Sequence, residues 1–196
     1  MTAHGALLAD LAGAERADGW MAACADAGRY LALSEELVAA LARELGAPGA
    51  GPVVEVCAGD GALAAALGER GVPLVATDAA PPARAAGRVE RLTAAEALER
   101  YRPRVVLGSF VPADAGVDAR VLGSASVGAY VVLGARLWDG FGSRALWAAA
   151  GGRAGWRAEP LPAVARWMVT RHDAWLGDGV PPLCRGEAWR FTRAPR

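Results

Sequence analysis

Val53-Val-Glu-Val-Cys-Ala-Gly-Asp-Gly-Ala-Leu63 is the stretch that decides the fold class. Val53 to Cys57 is a short apolar run with the length and β-branched content of a buried strand. It ends in Gly59 and Gly61, and from Gly61 to Glu69 the pattern becomes helical. Glycines at such a turn allow positive φ and let backbone approach a ligand where a Cβ would clash. Open α/β sheets bind ligands beside turns of this kind, at the carboxyl ends of their strands. Pro73 to Thr77 reads as a second strand, and Asp78 follows it directly. A carboxylate at that tip can accept hydrogen bonds from both hydroxyls of a ribose.

Further along the chain the alternation continues. Val89 to Leu92 reads as a weaker strand, Ala94 to Tyr101 as a helix and Arg104 to Leu107 as a strand; Tyr130 to Leu133 and a helix near Ser143 to Ala150 extend the series. Strand alternating with helix implies βαβ units, right-handed crossovers and a doubly wound, mostly parallel sheet. Ala165 to His172 and Glu187 to Thr192 alternate as strands, separated by a Gly/Pro-rich connection without room for a crossover helix. They are expected to pair as an antiparallel hairpin that finishes the sheet. Upstream, the first 46 residues read as helix, with Ser34 as an N-cap, Leu37, Val38, Leu41 and Leu45 on one face and Gly46 as the stop. Ala47 to Pro52 reads as a linker, which divides the chain into a helical cap over 1–46 and a sheet domain over 47–196.

Composition narrows the function classes. A chain of 196 residues, 54% apolar and 21% charged, suits one globular core. Acidic and basic residues balance at 21 each, which gives no field to draw nucleic acid or anionic lipid. The chain contains no Lys, Asn or Ile, the imprint of a GC-rich genome, so its many Arg, Ala and Gly carry less weight as signals. Cys24, Cys57 and Cys184 are widely spaced, which argues against a disulfide framework or a metal site and for a reducing cytoplasm. No stretch approaches the roughly 20 apolar residues that span a bilayer.

Two nucleotide classes compete for the glycine turn. Gly59-x-Gly61-x-x-Ala64 formally fits the dinucleotide fingerprint of an NAD-dependent dehydrogenase. Against that, Glu55 lies inside the first strand, where an NAD site needs no acid and an amino-acid ligand does, to face its ammonium group. The chain is also short for a separate hydride-acceptor domain. The stretch from Glu55 to Gly61 resembles motif I of the class I S-adenosylmethionine-dependent methyltransferases, an acidic residue followed by G-x-G-x-G. That resemblance runs from about Val53 to Thr192. It implies a seven-stranded sheet ending in an antiparallel hairpin, with the cofactor across the strand tips. It assigns Glu55 to the methionyl amine, the turn Cys57 to Gly61 (with Gly59, Asp60 and Gly61) to close backbone approach, and Asp78 to the ribose. Thr93 and Ala94 would lie at the adenine, and Ser109 and Phe110 at the methionyl part or the acceptor. Three departures stand out: Cys57 replaces the first glycine, Thr93 replaces a common Asp, and the segment from Asp78 to Val89 is short for a crossover helix.

On the substrate side, methyl transfer from a sulfonium needs alignment and exclusion of water more than a fixed catalytic constellation. A base is required only for an acceptor that keeps its proton. His172 is one candidate because imidazole titrates near neutrality; Tyr30, just ahead of the Ser34 helix, is the other. Trp138, after the fifth strand, is a candidate wall for a planar acceptor. The leading expectation is methyl transfer to a small molecule, with specialised metabolism as a setting. Non-methylating chemistry on the same fold, such as a cyclase, or a non-catalytic partner role comes second, and the dehydrogenase third.

Overall fold

The computed structural model describes residues 1–6, 24, 30–46, 53–135, 142–150, 155–171 and 186–194. The elements in chain order are β1 (Leu31–Ala32), α1 (Glu35–Leu45), β2 (Val53–Val56), α2 (Ala62–Glu69), β3 (Leu74–Asp78), β4 (Val89–Arg91), α3 (Ala94–Tyr101) and β5 (Val105–Ser109). They continue with α4 (Val117–Gly123), β6 (Ala129–Ala135), α5 (Arg144–Ala150), β7 (Trp156–Pro160), α6 (Pro162–Ala165), β8 (Val169–Thr170) and β9 (Gly186–Arg193).

Seven strands form one sheet in the order β4-β3-β2-β5-β6-β9-β7. The strands β4, β3, β2, β5 and β6 pair in parallel; β9 runs antiparallel to both β6 and β7. The pleat sends alternate residues to opposite faces. Val53, Leu107, Val131 and Leu133 pack with α1, α2 and α6, whereas Val54, Val106, Tyr130 and Val132 pack with α3, α4 and α5. Covering both faces is what a parallel sheet demands, and it explains the near-continuous Val/Leu composition of β2, β5 and β6.

The helix boundaries follow local chemistry. The Ser34 hydroxyl accepts the Leu37 N–H at 3.1 Å and starts α1. Thr93 and Glu96 form a reciprocal capping box that starts α3. The Gly46 N–H donates to the Ala42 carbonyl at 2.8 Å and ends α1. Leu37, Val38, Leu41 and Leu45 are fully enclosed in the same core as the sheet. Residues 79–88 contain no helix, as the short spacing implies.

The hairpin expected between Ala165–His172 and Glu187–Thr192 does not form. The partner of β9 is Trp156–Pro160, and Val169–Thr170 pairs instead with Leu31–Ala32 in a separate two-stranded ribbon. Pro162 sits in the first turn of α6, and the Trp167 and Met168 N–H groups close turns onto Val164 and Ala165. The apparent alternation through 165–168 is therefore a helix end and a turn. Strand β7 escapes sequence reading because it is an edge strand with Arg157 and Glu159 in it and a proline at its end, the composition edges tolerate. Residues 31 and 32, expected as helix, are extended because they pair with β8.

Two arginines of β9 tie its ends to helices. Arg190 donates to the Glu44 carbonyl and pairs with the Glu44 carboxylate at 3.3 Å, at the end of α1. Arg193 donates to the carbonyls of Val127 (2.9 Å), Leu122 (2.9 Å) and Ser124 (2.7 Å), while its guanidinium lies 4.5 Å from the Trp156 ring centroid. The Leu122 and Ser124 carbonyls belong to the C-terminal end of α4, where helix geometry leaves carbonyls without intrahelical partners. Removing the guanidinium takes a hydrogen bond from each of these three carbonyls, of which Ser124 keeps the Val127 N–H at 3.3 Å. Arg193→Ala is expected to lower unfolding free energy by about 2 kcal/mol or more, read from urea denaturation. Arg193→Lys should recover only part of it, because an ammonium cannot reproduce the planar fork.

Candidate functional site

Strand order reverses at β2: the chain goes from β2 through β3 to β4 on one side, and through β5 to β6 on the other. A crevice opens at the carboxyl ends of β2 and β5, the position where open α/β sheets bind ligands. A cavity of about 240 Å³ lies there. Glu55, Cys57, Gly59, Asp60, Asp78, Ser109, Phe110 and Tyr30, all singled out from the sequence, line it.

One half of the cavity is acidic. Glu55 is 1% exposed and its Oε2 has no hydrogen-bond partner among the described residues. Burial, with the Asp60 and Asp78 carboxylates nearby, pushes its carboxyl up to about 8. Asp78 organises the loop: its Oδ2 accepts the Gly59 N–H at 2.9 Å and its Oδ1 the Ala80 N–H at 2.8 Å. The Asp60 carboxylate accepts the Ala62 N–H at 3.0 Å at the start of α2, and the Asp60 carbonyl accepts from Ala86 and Gly87. The segment that replaces a crossover helix is thus pinned to the glycine turn.

The two motif glycines have different reasons. At Gly59, φ is +56° and an added Cβ would meet nothing within 4 Å, so this position faces open space. At Gly61, φ is +74° and a Cβ would come within 2.6 Å of a Val89 methyl. Gly61 therefore serves packing of the turn against the entry to β4, and it does not line the cavity. Thr93 and Ala94 do not line it either; the Thr93 hydroxyl is engaged in the capping box with Glu96.

The other half is apolar. Leu31 and Leu33 from the β1 segment, Leu63 of α2 and Pro112 after β5 join the Phe110 ring. Tyr30 stacks on Phe110 with centroids 5.4 Å apart, and the Arg171 guanidinium lies 3.8 Å from the Tyr30 centroid on the β8 side. The Arg171 N–H donates to the Tyr30 carbonyl at 3.0 Å, so the β1–β8 ribbon holds this wall. Sequence reading missed Leu31, Leu33 and Pro112; the Leu-x-Leu alternation before Ser34 is the signal that marks an extended segment there. His172 and Trp138 lie outside the described residues. Among the described residues, no group of His, Cys, Asp and Glu is placed to hold a metal ion. No helix among them is long and apolar enough to cross a membrane.

No protein-family model matches the chain, and no curated protein matches it in sequence. Solved structures do match in three dimensions. The 1,6-didemethyltoxoflavin-N1-methyltransferase of Burkholderia thailandensis, crystallised with 1,6-didemethyltoxoflavin and S-adenosylhomocysteine, aligns with a TM-score of 0.52 at 14% identity, covering 82% of this chain and 78% of that one. A SAM-dependent O-methyltransferase from Thermotoga maritima aligns with a TM-score of 0.51 at 10% identity, covering 90% and 72%. The fold is that of the class I S-adenosylmethionine-dependent methyltransferases.

Within this methyltransferase fold, Cys57 is the departure with a structural consequence. It adopts φ +56°, the left-handed conformation that a glycine takes without cost. Phe110, at the neighbouring strand tip, has φ +52°. Two of the three non-glycine residues with positive φ among the described residues therefore line the cavity, where strain is tolerated because β2 and β5 hold both sides. Burial, reinforced by Asp78, Asp118 and Glu55, raises the Cys57 thiol to about 11, so it stays a neutral thiol. Cys57→Val, close in volume, is expected to lose about 2 kcal/mol because a β-branched residue resists positive φ. Cys57→Gly should stay within about 1 kcal/mol of wild type, since relief of the backbone offsets lost packing and added chain entropy. Equal losses for both variants in urea denaturation would show that packing of the thiol, rather than backbone, governs the position.

Proposed function

We propose that the chain binds S-adenosylmethionine at the tips of β2, β3 and β5 and transfers its methyl group to a small-molecule acceptor. The observation that carries the reading is the buried Glu55 Oε2, without a partner among the described residues, beside an open glycine turn. Such an oxygen requires a donor, and the methionyl ammonium is one. Asp78 ends the second strand on the same cavity, with a carboxylate available to ribose hydroxyls once it exchanges the Gly59 N–H. Gly59 admits backbone-close approach. We assign Thr93 and Ala94, at the start of α3, to the adenine end, with the backbone as the recognising element because the Thr93 hydroxyl is committed to its cap.

S-adenosylmethionine, when bound, supplies a methyl group on a positively charged sulfur with a neutral leaving group. The chain then has to orient the acceptor and exclude water. We assign that work to the apolar half, with Ser109 and Phe110 at the junction and the Tyr30–Phe110 stack as the far wall. The apolar, aromatic half of the cavity favours a small, largely apolar acceptor, in keeping with the 1,6-didemethyltoxoflavin bound to the Burkholderia enzyme. Residues 1–46 act in this reading as the cap that carries Tyr30, Leu31 and Leu33, and 47–196 as the cofactor-binding domain.

S-adenosylhomocysteine at about 100 times its dissociation constant should add roughly 2.7 kcal/mol of stability. In a thermal melt that corresponds to a rise of roughly 5–10 °C for a domain of this size. NAD at the same concentration should leave the melt unchanged. A folded sample unmoved by millimolar S-adenosylhomocysteine would exclude the cofactor assignment. Asp78→Ala should weaken binding at least tenfold, since it removes a charged acceptor of the kind that contributes about 1.5–3 kcal/mol. Calorimetric titration reads that change directly, and an unaltered dissociation constant would move the ribose to another side chain.

A further inference from the structure

Three carboxylates, Glu55, Asp60 and Asp78, border one cavity, and only Glu55 is withdrawn from solvent. Its flanking strands bring no cation to it. From β3 it meets Asp78 and Thr77, whose hydroxyl donates at 2.8 Å to the Glu55 carbonyl rather than to its side chain. From the turn after β2 it meets Asp60 and the neutral Cys57 thiol; across the cavity stand Ser109 at the end of β5 and Tyr30 before β1. No Arg or His is among the described residues that line the cavity. An ionised carboxylate enclosed in this way, without a donor among the described residues, costs far more than a protonated one.

Building on the cofactor reading above, we propose that Glu55 carries a proton while the cavity holds solvent and releases it when a ligand ammonium group enters, so that binding and proton release are one event. In the step, the carboxyl O–H bond breaks heterolytically and the proton passes to water or buffer. The ligand ammonium keeps all its protons and faces the carboxylate so formed. The raised value of about 8 puts the exchange in the physiological range. Asp60 and Asp78 oppose a negative Glu55 in the empty cavity, and an arriving cation relieves that opposition.

Titration of S-adenosylhomocysteine at pH 7.0 in phosphate and in Tris, whose ionisation enthalpies differ, reads the proton count. Wild type should release about 0.9 proton per ligand bound, and its dissociation constant should rise about 25-fold from pH 8.5 to pH 6.5. 5′-Methylthioadenosine has the adenosine and the thioether without the ammonium, and should bind with no proton released. Glu55→Gln should abolish both the release and the pH dependence. The ligand-free protein offers a second readout. A carboxyl raised on folding stabilises below its unfolded value of about 4.5, and that contribution is lost as pH rises through about 8. Glu55→Gln should therefore gain in urea midpoint over wild type as pH increases across that window. Binding of S-adenosylhomocysteine by wild type without proton release, or release undiminished in Glu55→Gln, overturns the proposal and leaves the cofactor reading standing. If S-adenosylhomocysteine does not bind folded wild type at all, both fall. Should Glu55→Gln fail to fold, the wild-type buffer series alone decides.

Discussion

β2 and β5 are hydrogen-bonded neighbours that run in parallel, yet the chain leaves β2 toward one side of the sheet and β5 toward the other. The cavity opens between their tips. The cavity, its acidic half and its aromatic half all follow from this divergence. Everything else in the fold supports it. The two helical layers keep the strands dry, and the capped starts of α1 and α3 fix where each crossover begins. Antiparallel β9, filling the place between β6 and β7, holds the far side of the sheet to the helices through Arg190 and Arg193.

The walls of the gap are unequal in kind, and that asymmetry gives it chemical direction. On the β2–β3 side, side chains are short and acidic, and backbone curls tightly enough that Cys57, Gly59 and Gly61 all take positive φ. On the β5 side, Phe110 swings out at positive φ to meet Tyr30, and the β1–β8 ribbon pins that contact from outside the main sheet. A ligand with a cationic end and an apolar reacting partner suits both walls at once. Asp78 shows how closely architecture and site are joined. The carboxylate we propose for a ribose also accepts the Gly59 N–H of the glycine turn.

Behind the cavity, Asp118 accepts from the Tyr130 hydroxyl at 2.8 Å and from the Ser143 N–H at 2.7 Å, fully inside the protein. This links α4, β6 and the start of α5 below the tip of β5. Gly108 leaves room for it: a Cβ there would lie 2.8 Å from the Tyr130 oxygen. A satisfied polar network in an otherwise apolar layer specifies one arrangement of the elements, because any shift leaves a buried acceptor unpaired.

The sequence by itself determined the parts whose cause is local or periodic. The run Val53 to Cys57, the glycine turn, the cap at Ser34 and the strand–helix alternation from β2 to β5 are each legible within a few residues. So is the presence of an acid, Glu55, inside β2. Only the tertiary structure decided which strand completes the sheet. Trp156–Pro160 carries too little apolar pattern to announce itself, and Ala165–His172 carries a misleading one; pairing energy comes from partners distant in sequence. The same holds for Gly61, whose requirement is set by Val89, and for Tyr30, which reaches the cavity because β8 pairs with β1. It holds most of all for Glu55, since the protonation of a carboxyl depends on what surrounds it, and those surroundings are assembled from four separate segments of chain.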